Sequence, residues 1–328
     1  MRLRASAGET MRVGKLGILI LTVSVPVALP PPAQAVEEIF PFLPGVSIGV
    51  PIGALPPPGS YLSGFVNYFD FDVRDKDGRK TGIKVQDVNL GAQLLWVPDI
   101  TILGASYGAF VVQPFRKATV VTPAGEVSGF DPINTVISPV NLSWNLRNGF
   151  FISAGLTVYP ETYSYNRFRP ENVGRNYITI EPSFGVSYFK DGWNLSLHPL
   201  IDFNFVNRAN GYKSGTVFLM DFTATKQFGK WEFGLGGTVV EQLSDDTIRG
   251  VPVQPGPAGN SRGNRGRQLI LGPLVGYDFG ELSLKFYYQR NVYTENTAGG
   301  NRFWFKIDVP LTSKSIPAKA ADAAGTRS

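Results

Sequence analysis

The chain has 328 residues, a formal net charge of +5, no cysteine and a single histidine. The lack of cysteine excludes disulfides and thiol chemistry, and a single histidine leaves few ways to build a hydrolytic or metal site. Aromatic residues make up 12% of the chain and glycine occurs 37 times, while few stretches have a helical period. This composition predicts an all-β protein.

Residues 1–35 are predicted to form a secretory signal peptide. Basic residues precede an apolar run over 16–29, and the small-residue pattern Ala-Gln-Ala follows at 33–35. An uncleaved membrane anchor is the alternative. Removal of this segment takes away four basic residues and one acidic residue, which lowers the formal charge from +5 to +2. The basic balance therefore does not predict a nucleic-acid partner.

Residues 36–60 are rich in proline and glycine. Because proline donates no backbone hydrogen bond, this segment is predicted to be an extended N-terminal arm and not a strand.

Twelve segments with period-2 character follow the arm. In the seventh segment, Leu195 and Leu197 alternate with Asn194, Ser196 and His198, which indicates a strand with one apolar and one polar face. The predicted strands are 61–71, 83–96, 103–114, 133–146, 150–159, 176–189, 193–206, 216–228, 231–243, 268–279, 282–293 and 302–311.

The connections between these segments alternate between long and short. Two of the short ones contain Asn148-Gly149 and Asp191-Gly192. These dipeptides favour tight hairpins because they accept a positive φ. The long ones are predicted at 72–82, 115–132, 160–175, 207–215, 244–267 and 294–301.

An even number of strands of about ten residues with this rhythm predicts a transmembrane antiparallel β-barrel of about twelve strands, of the outer-membrane type. The barrel is predicted over 61–311, with both termini periplasmic and a polar C-terminal tail at 312–328. In lipid the sheet must close, because no backbone group can remain unpaired. A secreted sandwich or a lipocalin-like barrel is the soluble alternative.

In a membrane barrel the apolar parity faces lipid and the polar parity faces the lumen. The closing strand 302–311 is predicted to pair with 61–71. A loop centred near 297 would place Lys285 diagonal to Asp308, with Lys306 near Gln289. The charged groups either fill a narrow barrel with salt bridges or define a polar path. The predicted lumen-lining residues are Asp87, Glu181, His198, Asp202, Asp221, Glu232, Lys285, Trp304, Lys306 and Asp308.

Four stretches resemble the meta-pathway phenol-degradation family of outer-membrane proteins, which are transporter barrels of Gram-negative bacteria. They are LPPPGSYL (55–62), GRNYITIEPSFGVSY (174–188), GNRGRQLILGPLVGY (263–277) and NRFWFKI (301–307). The resemblance implies an outer-membrane channel for aromatic or other hydrophobic small molecules. The tail behind Leu311 departs from the family, whose members often end in an aromatic residue.

The predicted function is passive uptake of small hydrophobic or aromatic compounds, without cofactor, metal or catalysis. On one strand Ser196, His198 and Asp202 lie about 7 and 13 Å apart, too far for a hydrolytic triad. A general polar-solute porin is the alternative, and a surface lipid or ester hydrolase or a structural barrel is a weaker one. The predicted partners are outer-membrane lipid, lipopolysaccharide and the barrel-assembly machinery.

The arm is predicted to enter or cap the periplasmic mouth as a plug, with Phe40, Phe42 and Leu43 among its apolar members. A disordered periplasmic leader is the alternative. The arginines of the loop at 259–267 either meet lipopolysaccharide phosphates or are simply solvated.

Overall fold

The computed structural model describes residues 41–163, 165–166, 173–253 and 265–312. The predicted signal peptide, Phe40, the tail beyond residue 312 and most of the arginine-rich loop lie outside these residues.

Twelve long antiparallel strands form the described sheet, and each pairs with the next one along the chain. Their bounds are β1 (Gly59–Arg74), β2 (Lys80–Val97), β3 (Ala105–Thr122), β4 (Val136–Arg147), β5 (Phe150–Tyr159), β6 (Thr179–Lys190), β7 (Trp193–Asn204), β8 (Val217–Phe228), β9 (Trp231–Gln242), β10 (Arg267–Asp278), β11 (Ser283–Glu295) and β12 (Ala298–Pro310).

The sheet closes through its first and last strands. β1 pairs with β12 from Tyr61–Pro310 to Val73–Ala298, and β1 also pairs with β2 along its other edge. Closure leaves no exposed edge within the barrel wall, as a lipid environment requires. The twelve-stranded barrel and the predicted closing pair are thus confirmed.

Tight turns join the strands at one end of the barrel. Asn148 and Asp191 have φ values of 51° and 53°, and the glycines that follow them have 87° and 76°. The ends of β1 and β12 nearest the termini lie at this end too. In outer-membrane barrels the short turns are periplasmic, so we name this the periplasmic end and the opposite one the outer end.

Three of the predicted long connections are wrong at the outer end. The β1–β2 and β11–β12 connections shrink to residues 75–79 and 296–297 because all four strands continue past the predicted bounds. Residues 115–132 form a hairpin, in which the upper part of β3 pairs with the strand Gly125–Pro132. Its β-branched residues and the Pro123-Ala124 turn favour strand over loop.

The two faces of the strands differ as period 2 requires. On β7, Leu195 and Leu197 are exposed on the outside, whereas Asn194 and Ser196 are buried inside. Aromatic side chains form two bands on the outer surface. Trp96, Trp193 and Trp231 lie at the periplasmic ends of their strands, and Phe303 contacts Tyr68 and Tyr288 nearer the outer end. Within the described ranges, no helix is long and apolar enough to cross a membrane.

The predicted register of β11 and β12 is wrong by four positions, because Lys306 pairs with Lys285 and not with Gln289. Lys285 lies directly opposite Lys306, and Gln289 lies opposite Arg302. The tight turn at residues 296–297 and the irregular pairing of β11 near Val292 both move the centre of the hairpin toward the N-terminus of the predicted loop. Lys285 therefore faces a like charge instead of Asp308.

Candidate functional site in the barrel lumen

The described part of the predicted arm, residues 41–58, lies inside the barrel as a chain of turns, and from here on the arm means these residues. Val46 N–H donates to the Leu43 carbonyl at 2.9 Å, and Val50 N–H donates to the Ser47 carbonyl at 3.1 Å. Gly45 and Gly49 take φ values of +100° and +80° within these turns. Glycine is the residue that adopts this conformation at no steric cost. The arm thus turns repeatedly without pairing to the sheet.

Asp221 of β8 holds the first half of the arm. Its carboxylate accepts the Gly45 N–H at 3.0 Å, the Ser47 N–H at 3.1 Å and the Ser47 hydroxyl at 2.8 Å. It also accepts the Thr238 hydroxyl at 2.5 Å. Successive backbone N–H groups in turns form concave anion sites. Here the barrel wall supplies the anion, so the carboxylate anchors the arm.

His198 of β7 completes this anchor. Its Nδ1 lies 3.0 Å from the Ser47 hydroxyl oxygen, and its ring packs edge-on against Phe42 at 5.9 Å between centroids. Because the Ser47 hydroxyl donates its hydrogen to Asp221, the network assigns Nδ1–H of His198 as the donor to Ser47. His198 therefore supports the arm and is not placed to remove the proton of Ser47.

Two cations on β11 and β12, three and four strands around the barrel from β8, hold the middle of the arm. Lys306 donates to the Val46 carbonyl at 2.8 Å, and Lys285 donates to the Gly49 carbonyl. Tyr287 hydroxyl donates to the Gly45 carbonyl at 2.9 Å. The backbone of the arm is thereby bonded on both sides, through its N–H groups to β8 and through its carbonyls to β11 and β12.

Serines of three neighbouring strands hold the second half of the arm. Ser143 donates to the Gly53 carbonyl at 2.7 Å, and Ser153 donates to the Ile52 carbonyl at 2.9 Å. Ser187 accepts the Gly53 N–H at 2.9 Å. A buried backbone group without a hydrogen-bond partner is costly. These hydroxyls provide the partners that a neighbouring strand would otherwise supply to the backbone of the arm.

Glycines of the wall make room for apolar side chains of the arm. A Cβ atom at Gly236 would collide with the Ile48 side chain, whose Cδ1 would be 3.1 Å away. A Cβ atom at Gly108 would lie 3.2 Å from Leu55 Cδ1. Phe42 fills a further apolar site with Leu200, and it lies in a buried cluster near the outer ends of β8 and β9. Backbone and side chains of the arm are thus both matched to the wall.

Of the ten candidate lumen residues, six are buried and four are half-buried. The buried ones are Asp87, Glu181, Asp202, Asp221, Trp304 and Lys306, and the half-buried ones are His198, Glu232, Lys285 and Asp308. Five of them, His198, Asp221, Lys285, Lys306 and Trp304, surround the arm. Leu43 packs against the same cluster as Trp304.

Of the other five candidates, Glu232 lies 3.4 Å from Lys285 and Asp308 accepts the Ser63 hydroxyl at 2.5 Å, while the remaining three form two separate groups. Asp87 pairs with Arg116 at 2.7 Å. Glu181 of β6 faces Asp202 of β7, between the paired positions on either side, and accepts the Tyr159 hydroxyl at 2.8 Å. The ten residues therefore do not form one cluster. Within the described part of the chain, no group of three or more acids and histidine could hold a metal ion.

A cavity of about 1650 Å³ lies between the arm and the inner wall. It reaches from the periplasmic turns, at Asn148 and Asp191, to Asn134 and Tyr159 nearer the outer end. Its lining combines apolar and aromatic side chains with many uncharged polar side chains and a smaller set of charged ones. The apolar group includes Ile52, Leu55, Phe65, Phe110 and Phe151.

Asp246 organises the loops above the outer end of the barrel. Its carboxylate accepts the Tyr212 hydroxyl at 2.5 Å, the Gly215 N–H at 2.7 Å and the Gln242 amide at 2.8 Å. Burial raises the pKa of this carboxyl above its ordinary value, while the three hydrogen bonds oppose the rise. These bonds join the loop before β8 to the loop after β9.

Several residues of this site are not among the sequence predictions. They are the anchoring glycines, Ser47, Tyr287 and the wall serines. Gly45, Gly49 and Gly53 recur every four residues, and this period is a signal for a repeated turn. The wall glycines carry no comparable signal, because glycine within a strand has several causes.

The family model described as "Putative MetA-pathway of phenol degradation" matches residues 71–307. No curated protein matches the chain. The structure is similar to the COG4313 outer membrane channel from Pseudomonas putida F1, with a TM-score of 0.67 and 14% identity over 78% of this chain and 96% of that one. A weaker match is the translocator domain of autotransporter NalP from Neisseria meningitidis, with a TM-score of 0.44 and 10% identity over 78% and 90% of the chains. The CymD monoaromatic hydrocarbon channel gives a TM-score of 0.43 and 7% identity over 79% and 90%.

Proposed function

Since the chain belongs to the MetA-pathway phenol-degradation family and folds as an outer-membrane β-barrel, we propose that it is a channel for passive uptake of small hydrophobic or aromatic compounds. The observation that carries this proposal is the cavity between arm and wall. A cavity of about 150 Å³ suffices for benzene, so about 1650 Å³ holds several such molecules. Sites for small molecules combine apolar side chains with polar groups that fix the orientation of the ligand, and the lining of this cavity contains both kinds.

The arm argues against a general polar pore. It lies across the lumen and bonds to β4, β8 and β12, which are evenly spaced around the barrel. Water and sugars would have to pass beside a largely apolar segment.

Expression in a Gram-negative host with few porins of its own tests the proposal. We expect the initial uptake rate of labelled toluene to rise and that of labelled arabinose to stay at the level of the empty host. The reverse pattern would favour the general polar-solute porin and contradict the proposal.

The same proposal treats the protein as a non-enzyme. The wild type and the His198→Ala variant are both expected to hydrolyse esters and phospholipids no faster than buffer alone, because the Ser47 hydroxyl is bonded to Asp221. Release of p-nitrophenol from p-nitrophenyl butyrate measures this. Hydrolysis by the wild type that His198→Ala abolishes would instead make the barrel a surface hydrolase.

The lipid-exposed surface of the barrel contacts outer-membrane lipid. We infer two further partners. Lipopolysaccharide phosphates would meet exposed cations at the outer end, such as Lys84 and Lys117. The barrel-assembly machinery would insert the strands, with β12 as the last one along the chain.

A further inference from the structure

A row of paired positions around the inner wall places the cation of Lys306 next to the aromatic side chain of Phe65. Successive strand pairings place Glu232, Gly276, Lys285, Lys306 and Phe65 side by side across β9, β10, β11, β12 and β1. Lys306 and Phe65 both line the cavity described above.

Lys285 is neutralised within this row. Its Nζ lies 3.4 Å from Glu232 Oε2, across the position of Gly276. A Cβ atom at Gly276 would lie only 3.2 Å from that carboxylate oxygen, so the glycine leaves room for the ion pair. The charge of Lys285, which lies opposite Lys306, is therefore compensated by Glu232 on the other side of Lys285.

Lys306 is not neutralised in the same way. It is 5% exposed, and in the described ranges it has a hydrogen bond to the Val46 carbonyl and no ion pair within 4 Å. Three carboxylates attract Lys306 from a greater distance, and each has a nearer partner. Asp308 accepts the Ser63 hydroxyl at 2.5 Å, Asp221 binds the arm, and Glu232 lies 3.4 Å from Lys285. An ammonium group has three donors, and a neutral carbonyl compensates a buried charge poorly.

We propose that Lys306 and Phe65 form a binding site for small aromatic carboxylates in the lumen. The ammonium group would bind the carboxylate, and the Phe65 ring would contact the aromatic ring of the solute. This inference rests on the proposed uptake function. It specifies aromatic carboxylates as one class of the aromatic compounds that the channel takes up. Charge-assisted hydrogen bonds are about twice as strong as neutral ones, so the site discriminates by charge.

Binding of benzoate and benzamide to the purified protein in lipid nanodiscs tests this inference. The two probes have nearly the same shape and differ in charge at pH 8. By calorimetry, we expect the wild type to bind benzoate more tightly than benzamide. Lys306→Met should weaken benzoate binding by about tenfold, the effect of one lost polar interaction, and leave benzamide binding unchanged.

Three further variants separate charge, ring contact and folding. Lys306→Arg should retain the preference for benzoate. Phe65→Leu should weaken both probes, and Lys84→Met, which removes an exposed lysine of the outer face, should weaken neither. Equal binding of the two probes by the wild type, or equal losses in Lys306→Met, would overturn the inference. If toluene uptake nevertheless stands, only the anion site fails. If toluene uptake is absent as well, the proposed function fails with it.

Discussion

Deletion of residues 41–58 is expected to raise the single-channel conductance of the protein by about an order of magnitude. A twelve-stranded barrel lies between the filled eight-stranded barrels and the open porins in size. Its lumen conducts poorly only while something fills it. Planar-bilayer recordings of the purified wild type and deletion variant at the same salt concentration measure the change.

The expectation follows from how the arm is held. Its bonds to the wall are made to side chains, among them Asp221, Lys306 and Ser143, while the barrel ladder closes without it. Once the arm is gone, water can solvate these polar groups. The wall therefore keeps its fold and the lumen becomes aqueous.

A folding control accompanies this measurement. The deletion variant should retain the heat-dependent shift in gel mobility that reports a closed barrel. A folded variant with unchanged conductance and unchanged uptake of toluene and arabinose would contradict the assignment of the arm as the element that occludes the lumen.

The second large effect is expected from Gly236→Val. The new side chain would occupy the space of Ile48, and overpacking of this kind costs about 1–3 kcal/mol. The arm, bonded by side chains and not by a ladder, is the element that yields. We expect open-state conductance to appear for a larger fraction of the recording time.

A second substitution sharpens the test. Ile48→Ala empties the space that the introduced valine side chain would need, so the double variant Gly236→Val with Ile48→Ala should return toward the low conductance of the wild type. Gly64→Val makes the same change on the lipid face, where the neighbour is the Ile307 side chain, and should have no effect. Failure of the double variant to recover would show that Gly236→Val acts through the wall itself.

The identity of the strands was predictable because the information is local. Alternation along Asn194, Leu195, Ser196 and Leu197 specifies a two-faced strand whatever its neighbours are. The turns at Asn148-Gly149 and Asp191-Gly192 specify hairpins because these residues accept a positive φ. An even set of such strands joined by short turns at one end leaves a closed barrel as the solution in lipid.

The outer end was less predictable. Strands there continue beyond the membrane, where the residues of the outer face no longer need to be apolar. Without the alternation of apolar and polar residues, the sequence of a strand resembles that of a loop. Residues 115–132 illustrate this, since their hairpin with β3 is held by backbone pairing. The register of Lys285 was missed for a related reason, because a two-residue turn at 296–297 and a longer loop leave the same alternation in the sequence.

By itself the sequence determined the twelve-stranded barrel, its closing pair and the polar parity that faces inward, because period-2 patterning and turn chemistry act over a few residues. Only the tertiary structure decided what fills the lumen. Gly45 and Asp221 are 176 residues apart, and nothing local indicates that the backbone of one completes the anchor of the other. Three-dimensional closure also decided that Lys285 bonds to Glu232 and leaves Lys306 beside Phe65, because partners across neighbouring strands are set by register and not by pattern.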